Sequence, residues 1–392
     1  MSHYRKTCWI LTICLIILIY GFLSLEIVIY LSKVGVSKME LFEAKTREQL
    51  NQFKKFRKNL YAKDKQYVST TEFIVNMILA QSTTFTKELK VKPIFVKEDS
   101  KIVTEAILLI HPDFNAVQMA FFEALEHKHE AVDLMINYAL TWAKTEKFER
   151  VIIGLNGHIS YGVGIFNEGE LKNTFDSLYN KNYYDDYFKH LEIKHTLSSY
   201  RNEINKINHK LPTRKTKIKI RQINLKDFKN EMAFFKKICD ETIGETYLYY
   251  PTRDNHFYDL LKDMLFFLKS ENILFAEYRG EVIGFLFWHP DYNEILKPGK
   301  QQSLLSIGIR YLLKKKQIKT VKVNSIGVLK PYRGIGTLAL LNRMNDYIKN
   351  QYDFIETNFV WDQNISSTLL NQGLLNRTCR KYTVYEIEVK YD

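Results

Sequence analysis

The residues best placed to do chemistry lie in one run, Val323-Asn324-Ser325-Ile326-Gly327-Val328-Leu329-Lys330-Pro331-Tyr332-Arg333-Gly334-Ile335-Gly336-Thr337-Leu338. It reads as a strand, a short basic loop and the start of a helix. Within Arg333-Gly334-Ile335-Gly336 the two missing Cβ atoms let backbone N–H groups approach a ligand closely. Those groups stand at a helix amino terminus, where unpaired amides and the positive dipole end favour phosphate. Arg333 adds a full charge beside them. The run is not a P-loop, which needs Gly-Lys-Ser/Thr, and it is not a GxGxxG dinucleotide fingerprint. It predicts a phosphate-bearing ligand; a tight turn without a ligand is the alternative.

The elements that must hold this loop can be read around it. Thr320 to Val328 is an apolar strand, and Gly336 to Lys349 is a helix with Leu338, Leu341, Met344 and Ile348 on one face. Upstream, Ile273 to Tyr278 and Val282 to Trp288 flank Arg279-Gly280-Glu281, a hairpin signal. Downstream come a strand at Phe354 to Trp361, a short helix at Ile365 to Asn371 and a last strand at Tyr382 to Val389. The earlier part of the chain has a similar rhythm, with a strand at Met119 to Leu125, a helix at Glu130 to Lys144 and a strand at Val151 to Leu155. The pentapeptide His111-Pro112-Asp113-Phe114-Asn115 returns as His289-Pro290-Asp291-Tyr292-Asn293, about one domain length later. Each copy closes an apolar run with a turn-forming composition. Strands alternating with helices in both halves predict an α/β class with α+β mixed sheets, in two tandem domains.

Composition narrows the partners. With 46% apolar and 26% charged residues, a wholly disordered chain is excluded. Four scattered cysteines (Cys8, Cys14, Cys239, Cys379) make neither a disulfide scaffold nor a zinc ribbon, so no metal is expected. The net charge of +13 favours anionic partners. Cys8 to Leu25 carries no charge, and apolar character resumes after Glu26 up to Leu31. Residues 8–31 as a helix would cover about 36 Å, enough to cross a bilayer core of about 30 Å. Lys33, Lys38, Lys45 and Arg47 follow the run, which predicts an anchor with the carboxyl-terminal domains in the cytoplasm. Were Met39 the true start, the chain would be cytoplasmic without an anchor. The predicted partition is 1–38 for the flank and membrane helix, 39–204 for the first domain, 205–217 for a basic linker and 218–392 for the second domain. The Lys314-Lys315-Lys316 run reads as a solvated helix end.

With its strand, loop and helix in this order, the second domain resembles the Gcn5-related N-acetyltransferase (GNAT) superfamily. The acyl-CoA loop of that family, Arg/Gln-x-x-Gly-x-Gly/Ala, has its two small positions matched by Gly334 and Gly336. Val328, Pro331, Tyr332 and Arg333 resemble the usual approach to it. The family's first basic position falls on Pro331, so the loop is shorter by one or two residues. Residues 40 to 392 resemble bacterial GNAT proteins with two such domains. That likeness is carried by Phe121-Phe122-Glu123-Ala124, Ile153-Gly154-Leu155-Asn156-Gly157, Tyr179 to Tyr184, Glu356 to Asn364 and Tyr382 to Glu386. It implies two tandem GNAT-like domains, which stand behind the one amino-terminal transmembrane helix that the apolar run predicts. The first is degenerate, because Glu126-His127-Lys128-His129 replaces its glycine loop.

The resemblance implies transfer of an acetyl or other acyl group from acyl-CoA to an amine on a small molecule or peptide. It assigns the co-substrate to Ile326, Val328, Arg333, Gly334, Ile335, Gly336, Thr337 and Asn364, with the Ile326 to Val328 backbone as oxyanion donor. The family's tyrosine acid, seven residues beyond the asparagine, is replaced here by Asn371. Tyr382 and Tyr385 are the substitutes expected for it, and Glu356 is the expected base. Two other readings remain open: a transferase that takes its acyl group from aminoacyl-tRNA, and a membrane-tethered module that binds acyl-CoA without turnover. With the acyl-CoA loop nearly intact, nucleic acid is not expected as a partner.

Overall fold

The computed structural model describes residues 38–207 and 216–391. The expected membrane helix at 8–31 and most of the basic linker lie outside them. Among the described residues no helix is long and apolar enough to cross a membrane.

The first half runs β1 (Met39–Glu43), α1 (Arg47–Tyr61), α2 (Thr71–Leu79), β2 (Lys90–Glu98), β3 (Lys101–Ile110), β4 (Val117–Ala124), α3 (His129–Glu146), β5 (Arg150–Ile153), β6 (Ile165–Gly169), α4 (Tyr184–Phe188) and β7 (Ile193–Glu203). The second half runs β8 (Lys219–Gln222), α5 (Phe228–Ile243), α6 (His256–Leu261), β9 (Ile273–Tyr278), β10 (Glu281–Pro290), α7 (Leu304–Lys314), β11 (Thr320–Val328), α8 (Ile335–Ile348), β12 (Phe354–Thr357), α9 (Ile365–Leu375) and β13 (Thr378–Glu388). Local chemistry sets several boundaries. Thr46 and Gln49 form a capping box at α1. Arg279 and Gly280, both at positive φ, make the tight turn between β9 and β10. The expected strand at 354–361 breaks into β12 and a two-residue piece at Val360–Trp361, because its two parts pair with different stretches of β7.

The long sheet has the order β1-β2-β3-β4-β5-β13-β7-β12-β11-β10-β9-β8. Read inward from either end, five strands of one half are followed by one strand of the other. β13, the last strand of the chain, inserts beside β5 with Tyr385 opposite Ile153, and β7 of the first half pairs with β12 with Phe354 opposite Glu203. β13 and β7 then pair antiparallel with each other at the pseudo-twofold centre. The expected cut at 205–217 therefore divides the chain but not the sheet, since each half is completed by the other's last strand. Exchange removes two central sheet edges whose open N–H and C=O groups would otherwise need cover.

Both faces of the sheet are covered. β4 is buried along its whole length and β3 over eight residues, and their side chains alternate between two cores. Ile107, Leu109 and Ala120 face one core, while Ala106, Leu108 and Met119 face the other. β9 and β10 repeat this, with Phe275 and Phe285 on one side and Leu274 and Leu286 on the other. The repeated pentapeptides end the equivalent strands β3 and β10. In the first copy the Asp113 N–H donates to His111 Nδ1 at 3.1 Å. In the second, Asp291 Oδ1 accepts from the Asn293 N–H at 3.1 Å and from the Phe175 N–H at 2.7 Å. Both are turns, and the second also fastens a loop of the first half.

Candidate functional site

β11 and β12 run parallel from the Thr320–Phe354 pair to the Val323–Thr357 pair, then part. A last bond joins the Asn358 N–H to the Val323 carbonyl at 2.8 Å. β11 continues to Val328 held only by β10, and the register slips between Phe287 and Trp288, which leaves Asn324 as an extra, bulged residue. From Asn324 to Val328 the β12-facing edge of β11 has no strand beside it. This edge, the loop after it, α8, α9 and residues 358–361 enclose a groove of about 720 Å³.

At one end the glycine loop forms a cradle. Gly334 has φ +86° and open space where a side chain would stand, while a Cβ on Gly336 would lie 2.8 Å from Val328 Cγ1. The first hydrogen bond inside α8 runs from the Leu338 N–H to the Gly334 carbonyl at 2.9 Å. The amides of Ile335, Gly336 and Thr337 therefore have no helical carbonyl to donate to. Ile326, Val328, Arg333, Gly334 and Thr337 line the groove, and Arg333 Nε donates to the Val328 carbonyl at 3.3 Å. Ile335 points outward, 48% exposed, and Gly336 is buried on Val328, so only their backbones are available to a ligand. Asn364 lines the groove and caps α9, its Oδ1 accepting from the Ser367 N–H at 3.1 Å. Asn371 lines it as well, with Nδ2 donating to the Ser367 carbonyl at 2.8 Å.

The three side chains expected to be catalytic are not brought to the groove. Glu356 is 0% exposed and bound by Arg380, by Thr174 Oγ1 at 2.6 Å and by Arg201 Nη1 at 3.5 Å. These partners come from β13, from a loop of the first half and from β7, so Glu356 pins the strand exchange. The Tyr382 hydroxyl donates to the Leu178 carbonyl at 3.3 Å, and the Tyr385 hydroxyl donates to Asp185. Both tyrosines lie on β13, which has strands on both sides and sends their rings into the cores of the first half. Central placement in the sheet is what removes these residues from a substrate's reach.

A different carboxylate lines the groove. Asp176, at φ +63°, is exposed to the groove and accepts from Asn324 Nδ2 at the bulge where the strands part. Lost hydration raises its pKa, against the pull of Lys322 and of the Asn324 hydrogen bond. Lys322 is fully buried beneath the loop, with Nζ donating to the Phe175 carbonyl at 3.1 Å and to Ser177 Oγ at 2.8 Å. Desolvation lowers the Lys322 pKa to about 8. Nothing in Thr174-Phe175-Asp176-Ser177 marks a site; the residue becomes visible only once this loop lies on β11. Also on the groove's lining, His158 Nε2 meets the Tyr250 carbonyl at 3.2 Å, while Ser160 Oγ sits 2.8 Å from both His158 Nδ1 and His256 Nε2. Burial pushes the His158 pKa down to about 3 and that of His256 well below its usual value. Burial holds both rings toward the neutral form, and the network joins the two halves at the groove's wall.

The equivalent place in the first half is filled. β4 and β5 also part, after the Met119–Ile153 pair, but the space left is about 40 Å³. Asn156 Oδ1 takes the Phe121 N–H at 2.8 Å. The Tyr184 hydroxyl takes the Ala124 N–H at 2.9 Å, and the Tyr187 hydroxyl takes the Lys128 N–H at 3.2 Å. Tyrosines of α4 thus bond backbone amides where the second half has its cradle.

This fold, a doubled mixed sheet whose fourth and fifth strands part over a glycine loop, is that of the Gcn5-related N-acetyltransferases in tandem. It is similar to a solved tandem GNAT protein from the clavulanic acid biosynthesis pathway, at 10% identity and a TM-score of 0.53, over 91% of this chain and 100% of that one. It is also similar to the GCN5-related glucosamine N-acetyltransferase region of a fungal multi-domain β-N-acetylglucosaminidase, at 11% identity and a TM-score of 0.53, over 90% of this chain and 38% of that one. A probable N-acyltransferase of unknown function from Enterococcus faecalis aligns with a TM-score of 0.52 at 7% identity, over 90% of this chain and 73% of that one. No family model matches the sequence, and no curated protein matches it.

Proposed function

We propose that the chain is an acyl-CoA-dependent N-acyltransferase with one working site, in the second half. The observation that carries this reading is the bare edge of β11 running into the Gly334 cradle. A pantetheine arm has amides that can add to such an edge, and the pyrophosphate of CoA suits the free amides of Ile335 to Thr337 beside Arg333. The Ile326 to Val328 backbone then polarises the thioester carbonyl. Asp176 replaces Glu356 as the base: with its raised pKa it binds the acceptor ammonium and takes its proton. Asn371, where the family has tyrosine, can hold the leaving sulfur by a hydrogen bond but cannot protonate it, so water supplies that proton.

Calorimetric titration of the full chain with acetyl-CoA tests the reading. Binding is expected at micromolar concentration, weakened about tenfold in Arg333→Ala by loss of one charge-assisted bond. A folded protein that ignores acetyl-CoA would overturn it. Asn371 also favours a second reading, a module that holds acyl-CoA without turnover. Tight binding with no thiol release on any amine would support that one.

A further inference from the structure

We propose that the acceptor is a monoamine with an apolar body, such as an alkylamine or arylalkylamine. This inference rests on the acyl-transfer reading above. Asp176 is the only carboxylate among the described residues lining the groove, and it can neutralise one ammonium. The lining of the same groove includes Phe73 and Ile74 of α2, Ile243 of α5, and Phe257 and Leu261 of α6, with Thr70 and Thr246 among its polar members. None of those apolar side chains offers a hydrogen bond.

Several polar groups of this wall are already committed. Thr242 Oγ1 donates to the Ile238 carbonyl at 2.6 Å, and the Tyr249 hydroxyl donates to Asp240. Ser160 Oγ is held between the two histidines. A hexosamine seated here would bury hydroxyls with few partners, and a polyamine would set a second ammonium against apolar carbon. An alkyl chain meets neither penalty and gains about fourfold in affinity for each methylene it buries. In the transfer, the amine lone pair forms the N–C bond to the acyl carbon. Asp176 first takes one proton from the ammonium to free that lone pair; the C–S bond then breaks with its electrons on sulfur, and the second proton lost by the nitrogen passes through water to the thiolate.

The test measures CoA release by the full chain with acetyl-CoA and n-butylamine, n-hexylamine, n-octylamine, glucosamine or spermidine. The expected kcat/KM rises about fourfold per methylene along the alkyl series while the chain fits. Glucosamine and spermidine should fall at or below butylamine. Ile159→Asp places a second carboxylate in the wall and should reverse the order of octylamine and spermidine. A flat alkyl series, or a best rate on glucosamine or spermidine, would overturn the inference. Thermal shifts with octylamine and spermidine, each without acetyl-CoA, read the same preference without turnover, and equal shifts would also overturn it. Failure of the underlying reading looks different, since acetyl-CoA itself would then not bind.

Discussion

At the residue scale the chemistry turns on which carboxylate meets the substrate. Glu356 stands on the strand where the base was expected, yet two guanidiniums and a threonine close around it. Asp176 comes from the other half of the chain and opens into the groove at the bulged Asn324. Asp176→Asn should lower kcat/KM by about 10²- to 10⁴-fold, the usual worth of a positioned base. Affinity for acetyl-CoA should not change. The pH profile gives the more specific readout. Because the folded pKa of Asp176 is raised, wild-type activity should fall as pH drops through a point above the usual value of an aspartate. The variant's residual activity should lack that limb. A profile with the same acid limb in both proteins would assign the base elsewhere.

At the scale of elements, two nearly equivalent strand pairs have met different fates. β11 and β12 part over a glycine cradle, while β4 and β5 part over a plug of tyrosines from α4. The charged loop Glu126 to His129 showed that a glycine cradle is missing from the first half; that tyrosines replace a ligand there was not readable from it. Tyr184→Phe removes the acceptor of the buried Ala124 N–H and a hydroxyl bonded to Glu123 at 2.6 Å. Glu123 keeps Tyr61 and Arg57, but the buried Ala124 N–H left unpaired costs about 1–3 kcal/mol. The variant should therefore unfold at lower denaturant while binding one acetyl-CoA per chain. A stoichiometry of two would mean that the plug had been masking a second site.

At the scale of the whole molecule, the exchanged strands make the two halves one folding unit. Glu356, Arg201 and Arg380 lie at the seam, on β12, β7 and β13. Breaking such a buried pair by neutralising one partner costs about 3–5 kcal/mol, because the remaining charges are left uncompensated. Glu356→Gln should lower the stability of the whole chain by that order, in one transition seen by probes in either half. At a temperature where the variant remains folded, its kcat should stay close to wild type. A large loss of kcat in fully folded protein would return Glu356 to the chemistry.

What the sequence determined by itself is local. Gly334 and Gly336 announced a cradle because positive φ and a 2.8 Å approach to Val328 tolerate no side chain. Periodicity announced β11, α8 and the β9–β10 hairpin, and the two pentapeptides announced equivalent strand ends. The tertiary structure alone decided where distant residues meet. Tyr382 and Tyr385, three apart, fall on opposite faces of their strand, and only the exchange reveals that both of its sides are paired. Asp176 is one carboxylate among many until the loop carrying it is stapled by Lys322 to β11. Local pattern sets backbone conformation and burial face, whereas a site assembled across halves depends on packing contacts that no short window of sequence records.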